Sequence, residues 1–240
     1  MNNKYENPLN IATSKEFLLL AYKDYIAARH LLRNEMLLQG TILASTCLEK
    51  YFKAILILKS KRYTKHLSQT LCNEIKDFDG SLYNKLDQSF LNLLIKCYRL
   101  RYLDNITDTF SVILVQYQLL AELDYTVSKI EGNIHIYQND QKLILNYEQA
   151  WREKDKSLVD ENHIYHGVSS DKFIQEKESF IYCIRIDPNL SFNKTIIESH
   201  GHIAKQPIDK DFMREFKISD YPTEENPKTG FLIPFKLRNS

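Results

Sequence analysis

The chain of 240 residues is poor in the two residue types that break helices. Glycine occurs six times, and only Gly40, Gly80 and Gly132 precede residue 150. Proline is absent from Ile11 to Asp187. A long stretch so depleted favours helix. Cysteine is equally sparse. Cys47, Cys72, Cys97 and Cys183 form no C-x-x-C pair, and Cys47 and Cys97 fall on apolar helical faces, where cysteine acts as a small hydrophobe. A secreted disulfide framework is excluded, and a reducing cytoplasm fits. No run approaches the roughly 18 consecutive apolar residues of a membrane span. The opening MNNKYENPLN has no apolar core behind a basic segment, so no signal peptide is expected. Charge of one sign is lacking too: the net charge is +1 and the sequence pI about 7.7, which argues against a wholesale polyanion binder but leaves room for a local patch. The phosphate-loop, dinucleotide-binding, nucleophile-elbow and H-E-x-x-H motifs are all missing. No cofactor is expected.

What is present is enough apolar residue, 43%, to bury a sizeable core. Thr13 and Glu16 have the spacing of a capping box, and Leu18, Ala21, Tyr25, Ala28 and Leu32 then recur at helical intervals. A second helix is expected from Gln39 to Lys61, with Ala44, Cys47, Leu48, Tyr51, Ile55 and Leu58 on its apolar face. A shorter third spans Lys65 to Lys76. Ser81 would cap a fourth, carrying Leu82, Leu86, Phe90, Leu93, Leu94 and Cys97. Thr107 would cap a fifth, with Phe110, Ile113, Leu114, Tyr117, Leu120 and Val127 buried. After Gly132 prolines return, a helix is expected over Lys142 to Lys154, and β-prone runs occur at Ser179–Ile186 and Phe231–Phe235. The pattern predicts a mainly α chain: a four- to five-helix up-down bundle over 13–132, then a smaller irregular α+β region over 133–240. YPTEENPKTG reads as a loop. Trp151, the sole tryptophan, reads as a packing anchor.

The near-neutral total hides local charge. Between Glu49 and Glu74 no acid occurs, yet Lys50, Lys53, Lys59, Lys61, Arg62 and Lys65 do; between Asp87 and Asp104 stand Lys96, Arg99 and Arg101. Alternate helices of an up-down bundle run parallel, so the ends of the second and fourth helices can share a pole. Tyr51, Tyr63, Tyr98 and Tyr102 are interleaved with these bases. Cations hold phosphates and aromatic faces stack on bases, so the pole suits a nucleotide or RNA. The plainer account is a solvated helix face, on which Glu49–Lys53 is an ordinary i,i+4 pair.

Four segments carry a family resemblance. AYKDYIAARHLL runs from Ala21 to Leu32 and ASTCLEKYFKAIL from Ala44 to Leu56. Thr64-Lys65-His66-Leu67 follows, and Arg101-Tyr102-Leu103-Asp104 comes last. In order and spacing they resemble the A-x-x-D-x-x-A-A-x-x-L-L, E-K-x-x-K-A, T-H-x-L and R-Y-P-D segments of HEPN domains. The resemblance covers about half the chain. It implies a helical bundle, frequent homodimers, and roles in nucleotide binding, RNA cleavage, or toxin–antitoxin and defence systems. Ribonucleases of that family have an Arg and a following His with four to six residues between them, and no arginine here does so; Arg62 and His66 have three between them, one residue short. The chain therefore resembles a binding-type, non-nucleolytic member, matched position by position at Arg101, Tyr102 and Asp104 and more loosely at His66; with Lys50, Lys53 and Arg99 of the basic pole these make up the expected ligand-binding set. Two rivals stand beside this expectation. One is a diverged ribonuclease using Arg62 and His66. The other is an interaction module for a nucleotidyltransferase-like partner.

His163, His166, His200 and His202 form the only histidine clusters, and Asp160, Glu161 and Glu198 lie near them in sequence. A metal site and scattered surface histidines both fit that pattern. His66 and Asp104 fit helix-capping roles as well.

Overall fold

The computed structural model describes residues 8–61, 64–101, 110–138, 141–187, 196–204, 212 and 233–234. Within them the chain is mainly helical, with a small antiparallel sheet. Helix α1 spans Pro8–Arg33 and α2 spans Leu37–Leu58. A tight turn joins them, with Glu35 in the left-handed region at φ 63°. They pack antiparallel along their length: Ser14 Oγ donates to Ala54 O at 3.0 Å, and Lys50 Nζ to Asp24 Oδ2 at 2.5 Å. Near the turn, a Cβ on Gly40 would meet Leu32 at 2.8 Å, so only glycine allows this approach.

Helix α1 starts earlier than the capping-box spacing suggests. Thr13 lies inside it, and its hydroxyl donates back to Leu9 O at 2.9 Å. Short helices follow: α3, Gln69–Phe78, and α4, Gly80–Tyr83. Ser68 caps α3 through Leu71 N, and Asp79 caps α4 through Leu82 N. The fourth helix expected from Ser81 is in fact two. After α4 the chain turns, and Asp87 starts α5, Gln88–Tyr98, by accepting from Phe90 N at 2.9 Å. The leucine spacing runs through the break, and the Asp87 cap decides against continuity.

The fifth helix also begins later than expected. Thr107 is outside the described residues, and Phe110–Val115 is a strand, β1. Helix α6, Gln116–Asn133, starts where β1 ends. A two-residue hairpin follows, β2 at Tyr137–Gln138 and β3 at Gln141–Lys142. Then come α7, Asn146–Glu153, α8, Lys156–Val159, and α9, Ser170–Gln175. Strands β4, Ser179–Asp187, β5, Ile196–Ala204, and β6, Ile233–Pro234, complete the larger sheet. Its order is β1-β4-β5-β6, antiparallel throughout, with Ile113 opposite Cys183 and Cys183 opposite His200.

The sheet thus takes β1 from the helical part and β4 to β6 from the later part. Strand alternation splits its side chains. Val112, Leu114 and Ile184 join the helical core, while Ile113, Val115, Ile181 and Cys183 cluster on the opposite face. The main core is continuous from Leu18 to Ile184. Each fully buried Leu, Ile or Phe in it contributes about 1.5–3 kcal/mol. Gln116 ties the strand–helix junction down: its amide N–H2 donates to Leu32 O and Arg33 O, and its oxygen accepts from Phe180 N.

One polar cluster lies inside this core. Arg29 on α1 is ion-paired with Asp124 on α6, and both are almost fully buried. Tyr25 Oη donates to Asp124 Oδ1 at 2.8 Å. Arg29 also donates to Ser157 O and Asp160 O, fastening the α8 turn to α1. Burial pushes the Asp124 carboxyl up, and the Arg29 charge opposes that shift. Among the described residues no helix is long and apolar enough to cross a membrane.

Candidate functional site

His66, from the segment between α2 and α3, touches Glu49 within α2 and Tyr98 at the end of α5. Glu49 organises this corner. Its Oε1 accepts from Lys53 Nζ at 2.7 Å, one turn along α2. Its Oε2 accepts from Leu67 N at 3.1 Å and lies 3.3 Å from His66 Nδ1. A carboxylate can only accept, so the proton of this contact sits on Nδ1. The His66 ring then rests on Tyr98, with centroids 4.8 Å apart and planes tilted by 34°. Arg101 leans on the same tyrosine: its guanidinium carbon is 4.9 Å from the ring centroid, and Nη1 donates to Tyr98 Oη at 2.9 Å.

Tyr98 is therefore a buried platform with a histidine and an arginine seated on it. The His66 side chain is 66% exposed, and Arg101 and Arg99 are exposed too. Lys53 is largely covered and neutralised by Glu49. The corner as a whole presents cationic and aromatic groups to solvent over a carboxylate that faces inward. Such a surface can grip a phosphate and offer the His66 ring to a base.

Other members of the expected set lie elsewhere. Lys50 turns toward α1 and pairs with Asp24, away from the corner. Tyr51 is fully buried and donates to Glu131 Oε1 at 2.6 Å, so it is a core residue and not a stacking surface. Lys61 pairs with Glu74. Lys96 Nζ donates to Ser111 O at 2.7 Å, holding α5 to β1. Arg62, Tyr63, Tyr102 and Asp104 are outside the described residues.

Sequence reasoning named two residues of this corner but left both out of the ligand-binding set. Tyr98 was one aromatic among several, and nothing in the spacing set it apart. Glu49 looked like half of a helix-face pair; that pair exists, but its second oxygen takes two donors from a segment 17 and 18 residues away.

His163 and His166 are engaged within the fold. His163 is buried, with Nδ1 3.0 Å from Val168 O and Nε2 3.1 Å from Ala121 O. His166 Nε2 lies 3.1 Å from Val159 O. Both rings are thus directed at backbone carbonyls. His200 and His202 are two apart on β5, opposite Cys183 and Ile181. Among the described residues no group of three or more His, Cys, Asp or Glu is arranged to hold a metal ion.

Compared with family models, curated proteins and solved structures, the chain matches none.

Proposed function

We propose that this protein binds nucleotide or RNA phosphate at the Tyr98 corner, as a non-catalytic protein of HEPN type. The observation that carries this reading is the seating of exposed His66 and Arg101 on one tyrosine, with Glu49 fixing the histidine. Arg101 supplies the phosphate contact, His66 the stacking surface, and Arg99 a second exposed charge beside them. Lys53 acts through Glu49, and Lys50 has no part. The cytoplasmic setting, the homodimer and the defence or toxin–antitoxin role extend the same reading.

The test is calorimetric titration of the full chain with ATP, GTP and a short single-stranded RNA. Binding by one class, weakened at least about tenfold in Arg101→Ala with a salt slope reduced by about 1, supports the assignment. Unchanged affinity in Arg101→Ala, or no binding of any of the three, rejects it.

A second reading, a ribonuclease, is favoured by one feature. A carboxylate on Nδ1 leaves Nε2 of His66 as the nitrogen available for proton transfer, and Arg101 stands across the same ring. This pairing replaces the expected Arg62 with Arg101. RNA left intact by purified protein excludes it, whereas cleavage lost in both His66→Ala and Arg101→Ala establishes it.

A further inference from the structure

Beside α1 lies a cavity of about 610 Å³, bordered on its far side by Asp155 and Ser157 at the start of α8. It is separate from the Tyr98 corner: Glu49, His66, Tyr98 and Arg101 are not among its walls. Its volume falls within the roughly 300–1,000 Å³ of small-molecule sites.

The walls divide by chemistry. Ile26, Ala27 and Leu31 form an aliphatic floor. Lys23, His30 and Arg33 line the same cavity from three turns of α1. Arg33 is committed to Glu161, with Nε 2.8 Å from Oε2. Lys23 and His30 have no acidic partner among the described residues. Asp155 is the one carboxylate on the wall, and its Oδ1 is already occupied by the N–H and hydroxyl of Ser157, each at 2.8 Å. The hydroxyl of Tyr22, also on the wall, is buried with the Ser157 side chain beside it. Burial first, and then Asp155 and Glu131, push its pKa up to about 12, so it remains an O–H donor. An apolar floor flanked by one ammonium without a counter-charge, Lys23, and one imidazole able to donate a hydrogen bond, His30, is complementary to a molecule with an apolar body and one anionic end.

We infer that this cavity binds an amphipathic organic anion, its apolar body over Ile26, Ala27 and Leu31 and its carboxylate or phosphate head at Lys23 and His30. Asp155 sets the orientation, because it repels the head from the α8 end.

The experiment is calorimetric titration of the full chain with decanoate, decyl phosphate and decanol, each kept below its aggregation limit. One site per chain is expected, with at least one of the two anions bound about tenfold or more tighter than decanol. The relative affinities of decanoate and decyl phosphate identify the head group. Lys23→Ala/His30→Ala should erase the advantage of the anion and leave decanol binding unchanged. Ala27→Trp, at an exposed position, should block all three while thermal unfolding stays cooperative. Arg101→Ala should leave binding intact, which separates this site from the corner. Anions bound no tighter than decanol, an advantage that survives Lys23→Ala/His30→Ala, binding that survives Ala27→Trp, or no saturable binding at all would each overturn the inference.

Discussion

Two arginines in this molecule lean on tyrosines, and their settings are opposite. The Arg29 guanidinium carbon is 5.7 Å from the Tyr25 ring centroid, and that of Arg101 is 4.9 Å from the Tyr98 centroid. Arg29 is sealed in the core, where Asp124 and two backbone carbonyls take its donors. Arg101 is exposed at the end of α5. The same pair of residue types therefore serves as an internal fastener in one place and as a presented surface in the other. The carboxylates follow the same division. Asp124 is spent on neutralising a buried cation, while Glu49 faces inward so that a histidine can face outward. Placement, and not residue identity, separates holding the fold from offering chemistry to a ligand.

Mutation can sharpen this contrast, and the largest effect belongs to the buried pair. Asp124→Ala should cost about 3–5 kcal/mol in urea unfolding, because it strands a buried guanidinium. Arg29→Met with Asp124→Leu should recover part of that loss, since a buried ion pair can be exchanged for apolar packing. If the single variant unfolds like the parent, Arg29 is not the fastener described.

A smaller effect, of opposite sign, is expected at Glu131. Burial lifts its carboxyl from 4.5 to about 7, while the Tyr51 hydroxyl bond works in the other direction. Between those values the unfolded chain gives up its proton while the fold retains it, so stability falls as pH rises from about 4.5 to about 7 and then levels off. Glu131→Gln should therefore be stabilising by about 1–3 kcal/mol above pH 7 and close to neutral below pH 4.5. Thermal unfolding at pH 4 and pH 8 checks this, and an equal shift at both would refute the assignment.

Glu49→Gln should leave thermal stability within about 1 kcal/mol while changing the corner. The His66 imidazole loses the carboxylate that holds Nδ1, so the ring-current shift its protons take from Tyr98, read by NMR, should shrink. An unchanged ring-current shift would remove Glu49 as the residue that sets His66. Smallest of all, Lys61→Ala breaks an exposed pair with Glu74 and should change stability by less than about 1 kcal/mol.

The two long helices were legible because Leu18, Ala21, Tyr25, Ala28 and Leu32, and their counterparts on α2, repeat with the helical period and are buried as that period requires. Strand β1 was not. Phe110, Ile113, Leu114 and Tyr117 also fit helical spacing, and only the β-branched Val112, Ile113 and Val115 spoke for a strand. The signal for the core cluster was present but unused: Arg29 and Asp124 are charged residues set within otherwise apolar helix faces. The corner was half legible. Charge counting led to the ends of α2 and α5, but it could not separate Lys50, which turns back to Asp24, from Arg101. That distinction depends on which side chains find partners across the fold.

The shared sheet also sets an order for folding during synthesis. Strand β1 ends at Val115 and its partner β4 begins at Ser179, so about 64 residues must still be made after β1 emerges. At roughly 5–20 residues per second, the ribosome leaves an apolar strand edge waiting for several seconds. During that interval α1, α2 and α5 are already available to fold against one another and shelter Val112 and Leu114. The helices thus serve the young chain as an internal chaperone for the one strand that they cannot pair.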